Sequence, residues 1–102
     1  MARKEKVTKI IDGDTFETAS CKNPVRLANV DAPEKGQIGS AKAIEVLRKM
    51  ILGEEVKIDT VSRDKYGRAV ANVYKGRESV NKKMQKKVKV IRGVAVGRVY
   101  SK

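Results

Sequence analysis

Histidine and tryptophan are absent from this chain, and cysteine occurs once, at Cys21. One cysteine cannot close an intrachain disulfide, and without histidine the common Cys/His zinc cages cannot be built. Aromatic side chains are scarce: Phe16, Tyr66, Tyr74 and Tyr100 are too few for a long platform on which single-stranded bases stack. Eight glycines and two prolines in 102 residues, with 40% hydrophobic residues, mark a folded chain rather than a low-complexity one. No apolar run approaches the ~20 residues of a membrane-spanning helix. The basic MARKEK opening has no apolar segment behind it, so no signal peptide is legible. The expected location is cytoplasmic, or extracellular if a leader has been removed. At this length the chain is expected to form one domain over 1–102.

Acidic residues are also in deficit. Twelve Asp and Glu face 24 Lys and Arg, a formal net charge of +12. Such a surplus does not choose a fold, but it favours a polyanionic partner such as nucleic acid or an anionic membrane face. From Ser79 to Lys102 the chain carries eight Lys or Arg and no acid. A run of this kind is most simply a solvated face, and beside a phosphate site it also suits a polyanion.

Residues 7–11 (VTKII) and 15–20 (TFETAS) are expected to form two strands around an Asp-Gly hairpin turn. In 25–30 (VRLANV), Val25, Leu27 and Asn29 alternate with Arg26, Ala28 and Val30, and Pro33 stops the ladder. Ser40 is the expected N-cap of a helix whose apolar stripe is Ala43, Ile44, Leu47, Met50 and Ile51, with Gly53 closing it. Strands follow at 54–61 and 69–74, separated by a SRDKYGR turn with Gly67 suited to positive φ. A short helix is expected over 79–87, capped by Ser79, and strand-like segments over the remainder. The pattern is mainly β with helices. A five-stranded OB-fold barrel fits it, with a helix between strands 3 and 4 and a short C-terminal helix.

The few acids are unevenly placed. Asp12, Asp14, Asp31 and Glu34 all fall in turns or at strand ends, inside IIDGDTF and VRLANVDAPE. Like charges gathered in neighbouring turns repel unless a cation lies among them, and carboxylate oxygens suit Ca²⁺ or Mg²⁺ over soft metals. The spacing does not match an EF-hand loop. Arg26 precedes Asp31, and Arg68 ends the DKYGR turn. Guanidinium groups present paired donors to phosphate and can follow the charge that develops on it during cleavage. Glu34 remains as a carboxylate able to orient or deprotonate water. Each motif alone is a common turn or strand-end composition; their order and joint content point to a phosphate site.

IIDGDTF, VRLANVDAPE, the 39–53 helix, DKYGRAVANVY and SVNKKM, together spanning about 7–85, resemble the staphylococcal nuclease (thermonuclease) family. The resemblance implies a five-stranded OB barrel and a Ca²⁺-dependent nuclease that hydrolyses phosphodiester bonds in DNA and RNA, leaving 3′-phosphates. Single-stranded or locally unpaired segments are the expected substrate, and the chain is expected to act as a monomer with no membrane partner. By the same resemblance Asp14, Asp31 and the Ala32 carbonyl are the metal ligands, and Asp12 supports them from outside through water. Glu34 is the general base or water-positioning group, and Arg26 and Arg68 are the phosphate-binding arginines. Tyr66 would contact the nucleotide, with Tyr100 a second candidate, and Asn81 is structural. Three features depart from the family pattern: a short KGQIGS loop, Ala32 in place of a threonine, and a divergent segment 85–102. Two other readings stand beside this one. A non-catalytic OB-fold module would bind nucleic acid without cutting it, and a basic protein- or ribosome-surface module would ignore metal altogether.

Overall fold

The computed structural model describes residues 2–20 and 23–96; Cys21 and Tyr100 lie outside them. Strand β1 (Ala2–Asp12) is long and serves two neighbours. Its first half pairs antiparallel with β4 (Glu55–Arg63), from Ala2↔Asp59 to Lys6↔Glu55. Its second half pairs with β2 (Thr15–Thr18), from Val7↔Thr18 to Asp12↔Thr15, with irregular register after Val7 and after Ile10. Such bulges bend a strand and raise its twist, which lets one strand pass round a barrel corner. The strand starts earlier than hydrophobic alternation suggests because residues 2–6 carry no apolar period; backbone pairing with β4 holds them.

Strand β3 (Val25–Leu27) pairs antiparallel with β2 and parallel with β5 (Ala69–Lys75), through Val25↔Ala69, Arg26↔Val70 and Leu27↔Ala71. Strands β4 and β5 are antiparallel. The five strands thus form a ring, which is the OB-like closure expected from the pattern. A two-residue strand, β6 (Glu78–Ser79), adds only a short hairpin to β5.

Helix α1 (Ser40–Ile51) lies between β3 and β4 and buries Ala43, Leu47 and Ile51. Its cap is Gly39 at φ 90, with Ser40 already helical and no side-chain cap bond. Glycine suits that left-handed position, and a Cβ there would lie 2.8 Å from Ile91 Cγ2. Gly53, at φ 79, follows the helix as expected.

Two further expectations are revised. Strand 3 stops at Leu27 because Asn29 turns at φ 60; Asn29 is exposed, while Ala28 and Val30 are both buried. Residues 88–96 are not strand-like, and residues 97–102 lie outside the described ones. Helix α2 runs over Val80–Val96, so it is not short. The cause is visible in spacing: Val80, Met84, Val88 and Ile91 make one helical stripe, and all four are buried in the core with Phe16, Leu27, Leu47 and Val73. Short VKV and VAV runs mimic strand alternation, and packing against the barrel decides for helix.

Asn81 joins α2 to the barrel. It is 4% exposed, its Oδ1 accepts from Val73 N–H at 2.7 Å, and its Nδ2 donates to Ala28 O at 2.9 Å and Ala71 O at 3.0 Å. Asn81→Ala leaves three buried backbone groups without these partners. The expected loss is roughly 3 kcal/mol of unfolding free energy, read as a lower urea midpoint at unchanged m-value. A loss below ~1 kcal/mol would show that water replaces the amide.

Candidate active site

The turn between β1 and β2 sets two carboxylates at the barrel mouth. Gly13 is needed there for room, not for positive φ: a Cβ would stand 2.5 Å from Ala43 Cβ and 2.9 Å from Ala32 Cβ. The turn therefore presses against α1 and against the segment after β3. Asp14 is 8% exposed. Its Oδ1 accepts from Thr15 Oγ1 at 2.8 Å, and its Oδ2 accepts from Ala32 N–H at 3.4 Å. Arg26 Nη2 stands 3.4 Å from the same Oδ2.

Asp12 is less well served. Its Oδ1 is buried and meets no hydrogen-bond donor among the described residues. Burial first, then the Asp14 charge, holds its carboxyl above the ordinary 3.8; Glu34 pushes the same way, while Lys35 and Arg68 oppose. An orphaned buried carboxylate oxygen beside other acids is a place where a hard cation would relieve both desolvation and repulsion.

The arginines are held differently. Arg26 is half-buried in β3; Nη1 donates to Leu27 O at 3.0 Å and Nη2 to Val30 O at 3.1 Å. Arg68 is fixed by Asp64, whose Oδ2 accepts from Arg68 Nε at 2.6 Å. The other oxygen, Asp64 Oδ1, accepts from the N–H groups of Tyr66 at 2.9 Å and Arg68 at 3.0 Å. Gly67, at φ 82, makes the return possible. The Tyr66 ring is 72% exposed, with Lys65 Nζ and Arg68 Cζ each 5.3 Å from its centroid.

Asp31, Ala32 and Glu34 lie on the irregular segment after β3. Ala32 is buried, whereas Asp31 and Glu34 are exposed. Glu34 N–H donates to Gln37 Oε1 at 2.8 Å and Gln37 N–H donates to Glu34 O at 2.9 Å, closing a turn that steadies the Glu34 backbone. A cleft of about 320 Å³ brings these groups together. Asp12, Asp14, Asp31 and Ala32 line it with Glu34 and both arginines, and Tyr66 completes the wall. Every candidate site residue among the described residues is in this one cleft; Tyr100 lies outside them.

The donor set is all oxygen. Among the described residues no group of three or more His, Cys, Asp or Glu side chains is placed to hold a metal ion. Two carboxylates with a carbonyl suit a cation that keeps part of its water shell, and the bare Asp12 Oδ1 supports that fit. Sequence reading passed over Thr15, which orients Asp14, and Lys35, which acts on Asp12. Neither lies in a periodic pattern that could reveal it. The tight Gly13–Ala32–Ala43 contact was equally silent, because glycine in a turn has a simpler explanation.

Asp64 gives a pH test. Burial by itself would raise its pKa; hydrogen bonds from Arg68 and Tyr66, and the Arg68 charge, outweigh it and hold the carboxyl below 3.8. A depressed folded pKa contributes stability that is present above the unfolded value and is lost as pH falls through the folded one. Asp64→Asn should therefore melt lower than the parent at pH 7. The gap should narrow as the pH drops below ~3.8, and a gap independent of pH would refute the ionic part of this account.

Known proteins are similar to this chain in sequence. The family model for "Staphylococcal nuclease homologue" matches residues 24–101. That span holds Arg26, Asp31, Ala32, Glu34, Tyr66 and Arg68; Asp12 and Asp14 precede it and reach the cleft through the β1–β2 turn. An "Uncharacterized endonuclease" of Escherichia coli O157:H7 is 35% identical over 71 residues, covering 68% of this chain and 46% of that protein. "Protein ParB" of Escherichia coli is 37% identical over 81 residues, 78% of this chain and 46% of its own length. A "Micrococcal nuclease" of Shigella flexneri is 37% identical over 70 residues, 67% of this chain and 40% of that protein. The chain thus spans less than half the length of these three relatives. The extent of the family match places this chain within the staphylococcal nuclease homologue family.

Proposed function

We propose that this chain is a nuclease that hydrolyses phosphodiester bonds in DNA and RNA with Ca²⁺ as its cofactor, leaving 3′-phosphates. The observation that carries the reading is the meeting, in one cleft, of two arginines, an exposed glutamate and an acidic group with an orphaned oxygen. Relatives named as endonucleases or as a micrococcal nuclease support it.

Asp14, Asp31 and the Ala32 carbonyl would hold the cation, with Asp12 outside them. Bound there, Ca²⁺ would supply positive charge to a non-bridging phosphate oxygen. Arg26 and Arg68 bind the other phosphate oxygens, and their charge is worth more as the phosphorus gains its fifth oxygen. Glu34 accepts a proton from an attacking water as its oxygen bonds to phosphorus. The bond from phosphorus to the 5′-oxygen breaks, and that oxygen leaves protonated by solvent. Exposed Tyr66 packs against the adjoining nucleoside. These groups address the phosphate rather than the sugar, so both DNA and RNA are accepted, and a flexible single strand enters most readily. One copy carries every group used, in keeping with action as a monomer.

Two measurements test this. With Ca²⁺ at about a hundred times its Kd the wild-type chain should gain ~2.7 kcal/mol of apparent stability. Asp14→Asn should abolish that gain, and a parent indifferent to Ca²⁺ would sink the metal assignment. Glu34→Gln should lower kcat on single-stranded DNA by roughly 10²-fold or more, while keeping the Ca²⁺-induced rise in Tm. Tight binding without cleavage by the folded wild type in Ca²⁺ would instead establish a non-catalytic binding module.

A further inference from the structure

Lysine is the commonest residue on the outward side of α2, where Lys82, Lys83, Lys86, Lys87 and Lys89 are all exposed. Lys83 is neutralised by Glu78, at 2.6 Å. Among the described residues, Lys82, Lys86 and Lys89 have no carboxylate partner. At about 3.6 residues per turn these three share the side opposite the Val80, Met84, Val88 and Ile91 stripe. They are separated by four and three positions, the spacing at which like charges on a helix repel and weaken it. No acid from Ser79 onward offsets them. A polyanion laid along the helix would.

The row also leads to the cleft. Gln85 Nε2 donates to Asn29 O at 3.0 Å, tying this flank of α2 to the turn after β3. Beside that bond lies a groove of about 250 Å³ lined by Asn29, Asp31, Gln85, Val88 and Lys89. Asp31 lines both this groove and the catalytic cleft. A polymer leaving the cleft past Asp31 therefore meets Lys89 first, then Lys86 and Lys82.

We infer that this side of α2 is a second nucleic-acid contact, on which the single strand flanking the scissile phosphate lays its backbone. Isolated solvated lysines would need neither the groove nor an alignment toward the cleft. The inference rests on the nuclease reading for what occupies the cleft, but binding along α2 is measurable without catalysis.

The test is binding of a labelled single-stranded oligonucleotide of about twenty nucleotides to the full chain, in chelator, across a salt series. The triple variant Lys82→Gln, Lys86→Gln, Lys89→Gln is compared with wild type. A charge-matched control replaces Lys4, Lys6 and Lys57, which lie exposed at the end of β1 and β4 remote from Asp12. Glutamine keeps helix propensity close to that of lysine, and circular dichroism checks the fold. Each lysine–phosphate pairing removed should take ~0.7 off the slope of log affinity against log salt, about 2 for three pairings. The α2 variant should show that fall and at least a tenfold loss of affinity at low salt, while the control stays within about one slope unit of wild type. Equal weakening in both variants would reduce the effect to overall charge and overturn the inference, as would an α2 variant that binds like wild type. If the triple variant loses helix, Lys89→Gln alone should still lower the slope by ~0.7. Cleavage by wild type in Ca²⁺ is assayed separately; its absence would sink the nuclease reading and leave the binding comparison intact.

Discussion

Closure of the sheet between β3 and β5 is the constraint on which the cleft depends. Strand β3 has only three residues, so its pairing alone is a weak clasp. It is reinforced from both sides: Ala28 N–H donates to Ala71 O at 2.8 Å, and Ala69 N–H donates to Pro24 O at 3.2 Å. Asn81 then ties Ala28, Ala71 and Val73 to α2 through its amide. The closure sets Arg26 opposite Thr15 on one side and Val70 on the other, beside Asp14. It also brings the turn before β5, with Arg68, to the mouth that the Asp12–Asp14 turn occupies.

Asp12 at this mouth and Asp64 behind Arg68 are acids of two physical kinds. Asp64 is stabilised as an anion by an arginine and two backbone N–H groups, and its work is to hold Arg68. Asp12 is held above its ordinary pKa by burial and by Asp14, with one oxygen left bare. The first arrangement is settled within the protein. The second is a local conflict of the sort that folded chains tolerate at sites meant for a ligand.

Helix α2 has a double part in this architecture. Its inner stripe seals the core against α1, with Ile91 filling the space that Gly39 leaves open. On the outer side Lys82, Lys86 and Lys89 have no carboxylate partner among the described residues, and Gln85 anchors the near flank to Asn29. Extending the helix through Val96 is what brings Lys89 and Val88 level with Asp31. A helix ending at 87, as the strand-like runs after it suggested, would have left no such groove.

The sequence by itself pointed to the barrel class, to an α1 stripe of which Ala43, Leu47 and Ile51 are the buried part, to the Gly67 turn, and to the acids and arginines of the cleft. These are local signals: period-two or helical spacing, turn chemistry, and charges set where a turn does not need them. Ala32 and Tyr66 were implied only by the family resemblance. Tertiary structure alone decided the rest. Residues 2–6 became strand because β4 offered backbone partners, although their side chains carry no apolar period. Asn29 left the core because the chain turned at positive φ, and Gly13 proved to be required by its nearness to Ala43 and Ala32. Residues 88–96 became helix because Val88 and Ile91 could continue a buried stripe begun by Val80 and Met84. Short apolar runs satisfy both periods, and only the surface they pack against chooses between them.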